Sequence, residues 1–146
     1  EQVIGESDFG PFLWSREAGT SFLPFPPGSY AYAISNSGVI VGTYWNATRG
    51  KNQAYRWSRL TGFTDLGPDF AEYALAWDVG DDGTVVGYML IAGVPRAFAA
   101  KDSDVFEIGV DWSIALGVNK CGIASGFSNS GAVMWVPPGR SLSGAC

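Results

Sequence analysis

The phrase "SYAYAISNSGVIVG" (29–42) returns as "ALAWDVGDDGTVVG" (74–87) and "SIALGVNKCGIASG" (113–126), aligned without gaps. Repetition at a period near 40 residues restricts a chain to folds made by stacking similar units. One column is always alanine: Ala31, Ala76 and Ala115. Large residues flank it, with Tyr30, Leu75 and Ile114 before and Tyr32, Trp77 and Leu116 after. A glycine then follows a turn (Gly38, Gly83, Gly122), and a second closes the phrase (Gly42, Gly87, Gly126, matched by Gly5). The turn glycines predict positive φ in tight hairpins. The alanine column leaves room for close approach of a neighbouring unit.

Two further phrases fill the intervals. One reads "PFLW" (11–14), "AYRW" (54–57), "AFAA" (97–100) and "AVMW" (132–135). The other reads "TSFLP" (20–24), "FTDLG" (63–67), "VFEIG" (105–109) and "RSLSG" (140–144). Each unit thus holds four short strands: V-V-G, A-F-x-W, x-D-L-G and S-x-A-x-x-I. The closing glycines are 37, 45 and 39 residues apart. Four-stranded units of this length predict an all-β fold, a four-bladed or incomplete β-propeller in one domain over 1–146. The units divide at 1–37, 38–82, 83–121 and 122–146. The alanine-rich strand is expected innermost, and "ISNSGVIVG" is read as the seam between units. The last unit is incomplete, lacking an S-x-A-x-x-I strand, and "EQVIG" (1–5) matches only the second half of the seam. Trp14, Trp57 and Trp135 share one register and are expected in equivalent slots between sheets. "DFAEYALAWDV" (69–79) alternates, with Leu75, Trp77 and Val79 on one face and Ala74, Ala76 and Asp78 on the other.

The order of phrases resembles the HAF repeat of bacterial extracellular and cell-surface proteins, approximately A-x-x-I-N-x-x-G-x-V-V-G, then H-A-F-x-W, then D-L-G. The matching segments are "YAISNSGVIVG", "QAYRW", "TDLG" and "DDGTVVGYMLIAGVPRAFAA". The resemblance implies a propeller-like fold and an extracellular or cell-surface location; it implies no chemistry. The family's histidine is replaced by Gln53, Arg96 and Gly131, and the third unit has Ala100 in place of tryptophan.

The composition fits short strands and many turns: 20 glycines, twice the usual ~7 % share, with 14 % aromatic residues. A net charge of −5 argues against nucleic acid, whose binding rests on Lys and Arg at phosphates. No segment approaches the ~18 apolar residues of a membrane-spanning helix. With no histidine, the Ser-His-Asp and Cys-His arrangements and the usual imidazole base are excluded. No phosphate loop or zinc cluster is present, so no cofactor or metal is expected. Asp78, Asp81 and Asp82 occupy a turn filled by other residue types in sister units. They read as turn residues rather than a calcium loop, whose spacing they do not match.

Aromatic residues are the better lead to a ligand. Trp45 and Trp112 do not recur as tryptophan and, with Tyr32, could stack on sugars; packing within loops is the competing reading. Trp77 reads as core. Cys121 and Cys146 allow one disulfide or two separate thiols. Asn46 begins the sequon "NAT". The sequence therefore points to a non-catalytic structural or adhesive surface module, self-associating or bound to another surface protein. Head-to-tail assembly through an open blade edge is its sharper form. A glycan-binding propeller is the alternative, and a carboxylate-based glycoside hydrolase a distant one.

Overall fold

The computed structural model describes residues 1–137. Within them the chain forms four similar antiparallel sheets, each a consecutive run of strands. The first holds β1 (Gln2–Ser7), β2 (Gly10–Ser15) and β3 (Gly19–Phe22). The second holds β4 (Tyr30–Ile34), β5 (Ile40–Asn46), β6 (Lys51–Ser58) and β7 (Gly62–Asp65). The third holds β8 (Tyr73–Val79), β9 (Thr84–Ile91), β10 (Val94–Lys101) and β11 (Asp104–Glu107). The fourth holds β12 (Ser113–Val118), β13 (Ala124–Ser128) and β14 (Gly131–Trp135). "RSLSG" (140–144) and Cys146 lie outside the described residues.

The turn glycines behave as the repeat predicts: Gly38, Gly83 and Gly122 have φ of +80°, +82° and +74°. The seam does not. In "ISNSGVIVG", β4 and β5 pair directly within one sheet, with Ala31 opposite Gly42 and Ile34 opposite Ile40. The same hairpin joins β8 to β9 and β12 to β13. Backbone pairing to the next strand outweighs the order in which the phrases read. The boundaries between sheets fall in the 23–29, 66–72 and 108–112 connections, so the units 1–37, 38–82 and 83–121 are each one strand out of phase.

The alternation in 69–79 is also corrected. Each inner strand carries a β-bulge after its alanine: between Ala31 and Ala33, Ala76 and Asp78, and Ala115 and Gly117. The extra residues are Tyr32, Trp77 and Leu116. A bulge reverses the facing of the residues after it, so Val79 is buried on the same side as Ala74 and Ala76. This gives the closing glycines a steric reason. A Cβ at Gly42, Gly87 or Gly126 would overlap the carbonyl oxygen of Tyr30, Leu75 or Ile114, the residue before each alanine.

The sheets stack in chain order, and each junction buries its own apolar cluster. Leu13, Ala31, Ile40 and Tyr55 join the first sheet to the second. Val41, Ala54, Ala76, Val85 and Phe98 join the second to the third. Val86, Ala97, Ala115 and Ala124 join the third to the fourth. Each sheet therefore offers one face backward and one forward. On β5, Ile40 and Tyr44 face backward and Val41 faces forward; on β9, Val85 faces backward and Val86 forward. Polar clips reinforce the junctions. Glu6 accepts from Ala31 N at 2.6 Å, Asp78 accepts from Val118 N at 2.8 Å, and Ala97 N donates to Ser113 Oγ at 3.0 Å. The inner strands also touch one another, β4 with β8 and β8 with β12.

Candidate docking edge

The first sheet differs from its sisters at its inner side. Among the described residues, no strand pairs with the edge of β1 that faces away from β2, the position that β4, β8 and β12 fill in the other sheets. Its backward face is correspondingly bare among the described residues. Val3 is 48 % exposed, whereas its counterparts Ile40, Val85 and Ala124 are 0 %, 0 % and 2 % exposed. Trp14 and Phe22 on the same face are also exposed. Trp57 packs into the first junction and Trp135 into the third, so the tryptophan register is filled inside the stack and open at its start.

Gly5 keeps the closing glycine although, among the described residues, no inner-strand carbonyl lies over it. The ring of Phe12 takes that space instead, and a Cβ at Gly5 would overlap it. In the second sheet the counterpart Tyr55 lies elsewhere, and its hydroxyl donates to Tyr30 O at 3.1 Å. Tyr30 and Tyr32, on the adjacent β4, are both exposed. Tyr32 stacks on Trp77 at 4.7 Å and 30°, one bulge residue on the next. Partial burial raises the Tyr32 phenol above its ordinary pKa, helped by neighbouring Tyr30 and Glu6.

At the other end, the forward face of the fourth sheet exposes Phe127 and Met134. Their counterparts in the second sheet, Thr43 and Arg56, are buried in the junction with the third. The end sheets also differ in charge. Residues 1–22 carry Glu1, Glu6, Asp8 and Glu17 against Arg16, whereas residues 113–137 carry Lys120 and no carboxylate side chain.

The three aromatic residues singled out for ligand binding occupy separate places. Tyr32 lies on the inner strand of the second sheet. Trp45 is half exposed near the end of β5, opposite Asn52. Trp112 lines a cleft of about 230 Å³ with Trp135, Asp111, Asn129 and Ser130, at the entry to the fourth sheet. Asn46 is partly buried. Its Nδ2 donates to Tyr44 Oη at 2.9 Å and lies 3.5 Å from Asp65 Oδ2, and its Oδ1 accepts from Thr48 N and Arg49 N. Cys121 is buried in the third turn, and its pairing with Cys146 falls outside the described residues.

The aspartates of the turn region are occupied structurally. Asp81 accepts from Asn36, Asp82 from Thr84, and Asp78 from Val79 and Val118. Among the described residues, no three Asp, Glu, Cys or His side chains gather as a metal site. Sequence reasoning reached Gly5 through its column but missed Val3 and Phe12. Their signal was present: a closing glycine and large apolar residues in the same columns as those of the other units.

No protein-family model matches the chain, and no curated protein shows significant similarity to it.

Proposed function

We propose that this protein is a non-catalytic structural or adhesive module of the cell surface or extracellular space, with copies joining head to tail. The observation that carries the reading is the bare Val3 face, whose counterparts are buried at all three internal junctions. Backward and forward faces fit one another inside the chain, so the forward face at Phe127 and Met134 is the natural partner of the backward face at Val3 and Trp14. Such a contact uses two different surfaces and extends into a filament unless rotation closes it. The charge difference between the end sheets favours the same orientation. Similar stacked sheets with touching inner strands resemble propeller blades, and a further copy continues that arrangement. The surface location follows from the HAF resemblance, and a Cys121–Cys146 disulfide would suit it.

Sedimentation velocity over a wide concentration range tests the reading. Growth of the sedimenting species with concentration, lost on Val3→Lys or Met134→Lys, is expected. A monomer at every concentration overturns it.

The cleft at Trp112 favours one second reading, a glycan-binding propeller. Two indoles stand there beside Asp111, Asn129 and Ser130, groups that stack on sugar rings and bond to hydroxyls. Glycan-array binding lost on Trp112→Ala, and unchanged on Trp45→Ala, would establish it.

A further inference from the structure

We propose that the rings of Tyr55, Trp57 and Phe63 form a recognition site for a proline-flanked phenylalanine in an extended peptide. In the resting chain the site is filled by the chain's own strap, "LPFPPGS" (23–29), which connects the first sheet to the second. Phe25 makes edge-to-face contact with all three rings, at centroid distances of 5.1, 5.6 and 5.6 Å. Such contacts stabilise beyond the area they bury. Tyr55 and Phe63 are themselves stacked at 4.7 Å, which fixes the wall that Phe25 meets.

Cage and strap occur together. In the third sheet the counterparts of Tyr55, Trp57 and Phe63 are Phe98, Ala100 and Val105, as their pairing partners show. The connection entering that sheet (66–72) seats no ring there, and its Phe70 is 68 % exposed. It is held instead by cations of the second sheet. Arg49 donates to Gly67 O at 2.8 Å, and Lys51 donates to Asp69 O and Ala71 O at 2.8 and 2.5 Å. The strap is tied differently. Leu23 N donates to Pro11 O of the first sheet at 3.0 Å, and Phe25 N donates within the strap to Leu23 O at 2.8 Å. Pro24, Pro26 and Pro27 have no N–H to contribute. Phe25 is therefore the anchor of the strap on the second sheet.

This anchor can leave without opening the core. Phe25, Trp57 and Phe63 are each only half-buried. Leu13 and the Glu6 clip to Ala31 N join the first sheet to the second without them. A proline-bounded segment is already extended and loses little freedom on docking, and an aromatic-lined groove is the surface such segments fit. The partner is thus a protein that presents a Pro-Phe-Pro segment. Its apparent affinity is reduced to the extent that the strap keeps the cage filled. The inference stands apart from the assembly reading: a monomer can bind such a segment, and copies can assemble without it.

The test adds a synthetic peptide, LPFPPGS with para-fluorophenylalanine as its aromatic residue, to the full chain and follows it by fluorine NMR. Phe25→Ala, which empties the cage, should bind the peptide at least about tenfold more tightly than the unaltered protein. In the same titration the Trp57 indole N–H resonance should move. A peptide with alanine for each proline should bind Phe25→Ala at least about tenfold more weakly. If Phe25→Ala does not fold, Pro26→Gly decides the point. It loosens the strap and keeps the ring, and should bind the peptide more tightly than the unaltered protein. No binding by the folded variant overturns the proposal. So does binding that leaves the Trp57 resonance unmoved, or equal binding of the peptides with and without proline.

Discussion

The side-chain amide and the backbone N–H of Asn36 both donate to the carboxylate of Asp81, at 2.8 and 2.9 Å. The two residues occupy one column of the repeat, 45 positions apart, so this contact pins the hairpin turn of the second sheet to that of the third. The Asn36 side-chain bond, then its backbone bond, hold the Asp81 carboxyl below its ordinary value of 3.8. The ionised form is the bonded one. Its contribution is present above that value and is lost as pH falls through the lower folded pKa. Asp81→Ala should lower Tm slightly at pH 7, and the difference from the unaltered protein should vanish in acid. Paired thermal melts from pH 7 down to pH 2 measure it; an unchanged difference at the acid end would sink the assignment.

Buried phenols govern the alkaline side. Burial, with Asp65 nearby, pushes Tyr44 to about 12, and burial with the Tyr73 hydroxyl pushes Tyr88 to about 12. Burial drives Tyr55 higher still. These folded values exceed the ordinary 10, so the unfolded chain ionises first. The contribution of these phenols should be level with pH below 10, and stability should fall steadily between pH 10 and pH 12. Urea denaturation across that range, with tyrosinate absorbance recorded in parallel, checks the prediction. Tyr55→Phe should shallow the alkaline loss, while costing about 1 kcal/mol near neutrality for the bond to Tyr30 O.

Much of this architecture was legible because the repeat imposes the same physics several times. A glycine that recurs at a turn must serve the backbone, and Gly38, Gly83 and Gly122 do. The phase of the units was not legible. Strand order along the chain is the same whether the S-x-A-x-x-I strand closes one sheet or opens the next, and only pairing decides. The bulges were invisible too, because Tyr32, Trp77 and Leu116 look like ordinary alternating residues. The docking edge was half legible: Gly5 stood out by its column, but the exposure of Val3 depends on which strand is beside it. Tyr32, Trp45 and Trp112 were chosen by residue type and, for the two tryptophans, by not recurring in the repeat, and neither criterion brings residues together in space.

The closing glycines give a sharp contrast between sites. At Gly87 a Cβ would overlap the Leu75 carbonyl, which is backbone held in the β8–β9 pairing, so Gly87→Ala should cost about 1–3 kcal/mol. At Gly5 the neighbour is the Phe12 ring, which can rotate toward solvent. Gly5→Ala should stay within about 0.5 kcal/mol of the unaltered protein. Chemical denaturation of both variants suffices, and equal losses would show that Phe12 is fixed rather than mobile over Gly5.

Gln53 lies on β6, opposite Tyr44. It is 0 % exposed, and neither its Oε1 nor its Nε2 has a hydrogen-bond partner among the described residues. A buried amide left unpaired costs about 1–3 kcal/mol relative to a paired one. The side chain also lies against Gly67, where any Cβ would overlap it, so the site tolerates length but not added width. Methionine has similar length and flexibility and carries no group that demands a partner. Gln53→Met should therefore raise stability by about 1 kcal/mol, read as a higher urea midpoint at unchanged slope. A fall in the midpoint would mean that the amide is satisfied in solution by a partner such as ordered water, and that its role in the second sheet is polar.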